Sequence, residues 1–353
     1  MTRASFVSPR ITALAGYVPG EQPRDRTYVK LNTNENPYPP SDRVLAAVQQ
    51  AVNGDLRLYP DPVALRLRET ASARYGVSPD SIIVGNGSDE LLSVVMRACI
   101  DAGDSVAYAT PTYSLYDTLV ALQGGKAVRV PYPDDFALPV EALLRARARL
   151  TIVCNPNAPS GTLTPWEDIE SLARSISGLL LVDEAYVDFA TGTGIGLIAR
   201  YPNVLVLRTF SKSFSLCALR VGLGFAQPAL IHELSKVRDS YSVNRLGLVA
   251  ADAALLDYAY MEACAERIRA ERSALSAALA QRGFDVLPSQ TNFLLARRRN
   301  VELRNYQQRL KQEGVLVRYF DTPELRDALR ITVGTPGESA ALLRAVDTIG
   351  QPT

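Results

Sequence analysis

The sequence predicts an α/β protein with a large unit built on a mainly parallel, helix-covered sheet and a smaller α+β unit after it. Three observations carry this. Apolar strand-like runs alternate with helical stretches from about residue 80 to 225, the pattern of strands joined by crossover helices. Several runs are apolar throughout, as in IIV (82–84), LLLV (179–182) and VLVL (204–207), which places them in a sheet covered on both faces. Beyond Gly283, GFDVL, NFLLA, VLVRYF and LRITV enclose one helical stretch near 301–313 and form the smaller unit. The division expected is an arm over residues 1–40, a large domain over 41–246 and a small domain over 247–353.

Composition narrows the function. The chain has 353 residues, 47% hydrophobic and 21% charged, with a net charge of +1, so nothing in its balance calls for nucleic acid or a membrane surface. The absence of a long apolar run and of a signal-peptide core, with four widely spaced cysteines, reads as a cytoplasmic protein with reduced thiols. The single histidine, His232, lies in the helix-like stretch IHELSKV, which nearly excludes a His-dependent triad or a His-built metal site, and no metal is expected. Only five lysines are present, so candidates for an amine anchor are few.

In chain order, residues 1–40 read as an irregular arm whose segment YVKLNTNENPYPPSD is dense in Asn and Pro; its NTNEN loop is a candidate lid. Ser41 is placed to cap a helix running to about Val52 and stopped by Gly54, and Gly76 closes the next. A strand at Ile82–Val84 meets the turn Gly85-Asn86-Gly87-Ser88, which opens a helix from Asp89. Free amides at a helix start can cradle a phosphate. After the strand SVAYAT, a Pro111 turn leads to a helix near Tyr113, where Tyr113 or Tyr116 offers an aromatic face to a planar ring. Thr164-Pro165-Trp166-Glu167 has the form of a capping box. GLLLVDEAYVDF delivers Asp183 and Glu184 at the carboxyl end of an apolar strand; a buried carboxylate there requires a partner.

The informative stretch is Val204–Gly224. Its apolar strand breaks into Arg208, Thr209, Ser211, Lys212 and Ser213, with Arg220 eight residues beyond the lysine. Open α/β sheets place ligands at this carboxyl edge. A lysine bracketed by Ser211 and Arg220, both suited to a phosphate, matches the needs of pyridoxal phosphate: an amine anchor beside an anion site.

LNTNENPYPPS, LYPDP, GNGSDELL, PTYSLY, NPNAPSG, VDEAYVDF, RTFSKSFSLCALRVG, SQTNFLL, VLVRYF and LRITVGTP follow in order over residues 11–340. Together they resemble the fold-type I pyridoxal-phosphate aminotransferases, most closely the histidinol-phosphate aminotransferase family. The resemblance implies ping-pong amino transfer between L-histidinol phosphate and 2-oxoglutarate in histidine biosynthesis, through an internal aldimine on Lys212. It assigns Asp183 to the pyridine nitrogen and Tyr186 to the phenolic oxygen, where Asn157 is a further candidate. Gly87, Ser88, Asp89, Ser211 and Arg220 hold the phosphate, and Tyr113 covers the ring. Tyr59 reaches the neighbouring subunit's cofactor, which makes the protein a homodimer with shared sites. Arg330, with Arg318, grips the anionic end of the small-molecule amine or 2-oxo acid, while Tyr17 and Asn34 line the substrate side.

Two positions depart from the family pattern. Ala158 stands where an asparagine contacts the phenolic oxygen, and alanine has no donor. The expectation is an internal aldimine with a raised pKa, relieved only if Asn157 or water substitutes. Ser215 and Cys217 add volume in a loop that commonly carries glycine and alanine. An aromatic amino acid aminotransferase is the nearest alternative, and a pyridoxal-phosphate decarboxylase of a phosphorylated amino acid is another. A regulatory protein built on this fold is disfavoured by the complete Lys212, Asp183, Tyr186 and Arg220 set.

Overall fold

The computed structural model describes residues 6–350. A first short strand, β1 (Val29–Leu31), lies in the arm. Seven strands follow: β2 (Ile82–Gly85), β3 (Ser105–Thr110), β4 (Lys126–Pro131), β5 (Leu150–Cys154), β6 (Leu179–Asp183), β7 (Val204–Thr209) and β8 (Gly222–Phe225). The last four are β9 (Asp285–Val286), β10 (Phe293–Arg297), β11 (Val315–Tyr319) and β12 (Ala328–Thr332).

β2 to β8 form one sheet in the order β2-β8-β7-β6-β5-β3-β4. Its pairings are parallel from β4 to β7, and β8 runs against both neighbours. The continuous apolar runs are buried throughout: every residue of β2, β5 and β7 is shielded, as helices on both faces require. Parallel register brings Cys154 opposite Asp183 and Asp183 opposite Leu207. The residues that follow β3, β5, β6 and β7 therefore meet along one edge of the sheet.

The second sheet has the order β1-β11-β12-β10-β9 and its own apolar cluster, including Leu294, Val317, Leu329 and Leu342. The expected irregular arm thus contains a strand, because β1 pairs in parallel with β11 over Val29–Leu31. Arg26 fixes the approach by donating to the carbonyl oxygens of Lys311 and Gln312 at 2.5 and 2.7 Å. The Pro-rich composition around it concealed a three-residue strand.

Ser41 caps the helix Asp42–Ala51 by accepting from the Val44 amide. The helix stops short of Gly54, which starts a 3-10 turn. Gly76, with φ of +69°, closes the helix Leu65–Tyr75 in the left-handed region open to glycine. The box expected at Thr164 does not form: the helix begins at Trp166, while Asn155 holds the Thr164 backbone through its side-chain amide. The reciprocal capping box lies at Thr335 and Glu338, opening the helix Pro336–Ile349.

Candidate active site

The loop between β7 and β8 is a closed turn. The Phe210 amide donates to the Val221 carbonyl, and the Leu216 amide returns to the Phe210 carbonyl, so Lys212 sits on a constrained arch. Asn36, from the arm, donates to the carbonyls of both Lys212 and Ser213 at 3.1 and 3.0 Å. Ser213 is held by Asp188, which also receives Arg208; Glu184 takes the other side of the same guanidinium. This buried network lies behind the lysine and supports its backbone. Ser215 adopts φ of +61°, so the position that commonly carries glycine carries a strained serine.

The Lys212 ammonium makes one long contact, 3.5 Å to the Thr33 carbonyl. Burial, and then the Arg330 guanidinium, lower its pKa from the usual lysine value to about 8. Asp183 shows the opposite shift for the same reason: burial raises its carboxyl to about 6, although Tyr116 and the Ala185 amide donate to it. Tyr116 supplies 2.6 Å hydrogen-bonding to one oxygen but no positive charge. Asp183 is therefore a buried carboxyl that makes no salt bridge among the described residues, the Lys212 charge acting on it only from across the cavity.

Arg220 links the two sides of an anion cradle. It donates to Ser211 Oγ at 3.0 Å and to Asp89 at 3.2 Å, beside the amides at the start of the helix Gly87–Cys99. A Cβ at Gly87 would stand 2.5 Å from the Arg220 guanidinium, so glycine keeps this approach open. Tyr113 donates to the other oxygen of Asp89 and meets Tyr17 edge-on, with ring centroids 5.8 Å apart.

Opposite the lysine, Arg330 donates to the Asn32 carbonyl, but its Nε is buried without a partner. Burial lowers its pKa, as expected of a guanidinium waiting for an anion. Arg318 also reaches the cavity, although its guanidinium is bound to the carbonyls of Val18 and Pro19. Asn34 is buried and donates to the Tyr186 hydroxyl oxygen at 3.0 Å. Lys212, Asp183, Tyr186, Asp89, Arg220 and Arg330 line one cavity of about 590 Å³, within the range of small-ligand sites. The unpaired carboxylate of Asp183, the open cradle at Gly87 and the partnerless Nε of Arg330 fit a phosphorylated, cationic aromatic cofactor and an anionic substrate.

Two expected residues stand apart. Asn157 does not line the cavity: its side chain is committed to Thr112, the Pro111 carbonyl and Ser160, so it does not replace the donor missing at Ala158. Tyr59 lies outside the same cavity, 79% exposed, and stacks on Tyr241 with centroids 4.4 Å apart. Sequence reasoning missed Tyr116 as the Asp183 donor and Asn36 as the brace of the lysine loop. Only the proximity of PTYSLY and NENP to other motifs hinted at either.

The fold and this site define an aminotransferase: the family described as "Aminotransferase class I and II" matches residues 26–349. The chain is 44% identical over 97% of its length to histidinol-phosphate aminotransferase 1 of Trichormus variabilis, covering 98% of that protein. It is 44% identical to histidinol-phosphate aminotransferase of Syntrophotalea carbinolica, over 96% of this chain and 98% of that one. The crystal structure of histidinol-phosphate aminotransferase from Sinorhizobium meliloti, in complex with pyridoxal-5'-phosphate, superposes with a TM-score of 0.90. The sequences are 28% identical, and the match covers 99% of this chain and 100% of that one. The chain belongs to the histidinol-phosphate aminotransferase family.

The lowered lysine pKa has a direct consequence. An amine that loses its proton near 8 is largely neutral at pH 9, whereas a lysine of ordinary pKa is then only a few per cent neutral. In the cofactor-free protein, brief reductive alkylation followed by peptide mass mapping should label Lys212 with a midpoint near pH 8. The same reaction on unfolded chain should follow the ordinary lysine range.

Proposed function

We propose that the enzyme transfers the amino group of L-histidinol phosphate to 2-oxoglutarate, with pyridoxal phosphate as its cofactor. The observation that carries the chemistry is the enclosure of a low-pKa lysine, Lys212, and a buried carboxyl outside any salt bridge among the described residues, Asp183, in one cavity. The names of the full-length relatives support the choice of substrate.

When bound, pyridoxal phosphate supplies an aldehyde that captures amines and a protonated ring that withdraws electrons from the substrate Cα–H bond. Lys212 would anchor it, and Asp183 would pair with the ring nitrogen and keep it protonated. Tyr186 donates to the phenolic oxygen. Ser211, Arg220 and the amides of Gly87, Ser88 and Asp89 hold the phosphate, and Tyr113 covers the ring. Arg330 binds the anionic end of either substrate, beside Arg318 and Tyr17. Lys212, the same amine that would anchor the cofactor, would be placed to take the proton from the substrate Cα as general base. Its neutral form is accessible because burial and Arg330 disfavour the ammonium. Donor and 2-oxo acid acceptor would use the same site in turn.

The chain divides into an arm over 1–40, a large domain over 41–246 and a small domain over 247–353, and the arm reaches the site through Thr33, Asn34 and Asn36. The enzyme works as a homodimer, and Tyr59 completes the partner's cofactor site. Its high exposure supports this, as does the exposure of Leu45, Val52, Leu56, Leu58 and Val63. None of the described helices is long and apolar enough to cross a membrane. Four free cysteines support a cytoplasmic setting.

Rapid mixing of the cofactor-loaded enzyme with histidinol phosphate alone should bleach the visible cofactor band, and 2-oxoglutarate should restore it. A faster response to phenylalanine would reassign the donor to the aromatic amino acids. Shared sites are tested by mixing two inactive variants, Lys212→Ala and Tyr59→Ala, under conditions that exchange subunits. Hybrids should regain activity, because one of their two sites then has both residues intact. No recovery would place Tyr59 in service of its own subunit.

A further inference from the structure

We propose that Asn34 is a positioning residue that directs the Tyr186 proton into the cavity, toward the phenolic oxygen of the cofactor. This rests on the cofactor reading given above. The argument is one of donors and acceptors. The Asn34 backbone amide donates to Thr332 Oγ1 at 3.0 Å, so that hydroxyl has a donor on its oxygen. Its own proton goes to Asn34 Oδ1, at 3.2 Å. The Asn34 amide group is thereby oriented, with its oxygen toward Thr332 and its nitrogen toward Tyr186. The reverse orientation would leave the Thr332 hydroxyl accepting twice with its proton unpaired.

Asn34 Nδ2 then donates to the Tyr186 oxygen at 3.0 Å. A phenol oxygen that accepts from a fixed donor keeps its single proton for another acceptor. The ring is held in place by edge-on packing on Phe293, with centroids 5.0 Å apart. The backbone of Asn34 is fixed as well: Asn292 donates to its carbonyl at 3.0 Å, and its φ of +56° suits asparagine better than most residues. The chain Asn292–Asn34–Thr332 therefore sets the direction of one proton on the far side of the cavity.

This direction matters because the wall beside Tyr186 offers little else. Ala158 lines the cavity without a polar side-chain atom, and Asn157 is turned into its own loop. Tyr186 is left as the side-chain donor that can serve a phenolic oxygen, and Asn34 decides whether it does. The other charged and titratable groups facing Tyr186 are Arg330, Asp183, Cys154 and Tyr113, with Lys212 over its ring at 5.6 Å. None of them is altered by a substitution at position 34.

The test is a pH titration of the visible absorbance of the bound cofactor in the holoenzyme, comparing wild type with Asn34→Asp and Asn34→Gly. Glycine keeps the left-handed backbone, and aspartate keeps the shape but accepts where asparagine donates. Loss of a donor to the phenolic oxygen raises the pH midpoint, so both variants should move upward by about one pH unit. Asn34→Asp should move further, because its carboxylate takes the Tyr186 proton. In a Tyr186→Phe background, Asn34→Gly should add nothing. Unchanged midpoints in both variants would overturn the role of Asn34 while leaving the cofactor reading intact. A wild-type protein that forms no visible band with pyridoxal phosphate would overturn both.

Discussion

The structure depends on a carboxylate placed where the sheet cannot neutralise it. Asp183 ends β6, 3% exposed, with hydrogen bonds from Tyr116 and Ala185 and no salt bridge among the described residues. Burying a charge this way costs several kcal/mol unless a partner arrives. The rest of the site is arranged around that deficit. The neighbouring strand carries Lys212 on a braced arch, and the anion cradle sits at the start of the helix Gly87–Cys99. A ligand with a cationic ring at one end and a phosphate at the other relieves both ends of the cavity at once.

The arm has a larger part than its composition implies. It adds β1 to the second sheet, braces the lysine backbone through Asn36, contributes the Thr33 carbonyl beside the Lys212 ammonium and supplies Asn34. Residues from three distant parts of the chain thus bear on the same few atoms. A substitution in the arm can therefore alter the chemistry without touching either sheet.

The large sheet was legible because its strands are apolar without alternation and end in polar residues. Lys212, Asp183, Ser211 and Arg220 follow from that pattern, since a strand edge concentrates whatever comes next. β1 was hidden by its short length and by the prolines around it. Thr164 had the letters of a capping box, but Asn155 holds its backbone outside the helix. Asn157 was misplaced because adjacency in sequence does not say which way a side chain turns in a tight loop. The roles of Asn34 and Thr332 arise from a contact spanning almost the entire chain, and no local spacing encodes it.

The central claim is that Asp183 is the counter-charge of the cofactor. It is tested most directly by titrating pyridoxal phosphate into cofactor-free wild type and Asp183→Asn, with Lys212 intact in both. The account predicts that Asp183→Asn, whose side chain cannot hold the ring nitrogen protonated, binds at least about tenfold more weakly near neutral pH. Equal affinity in the two proteins, with the same absorbance spectrum, would contradict it.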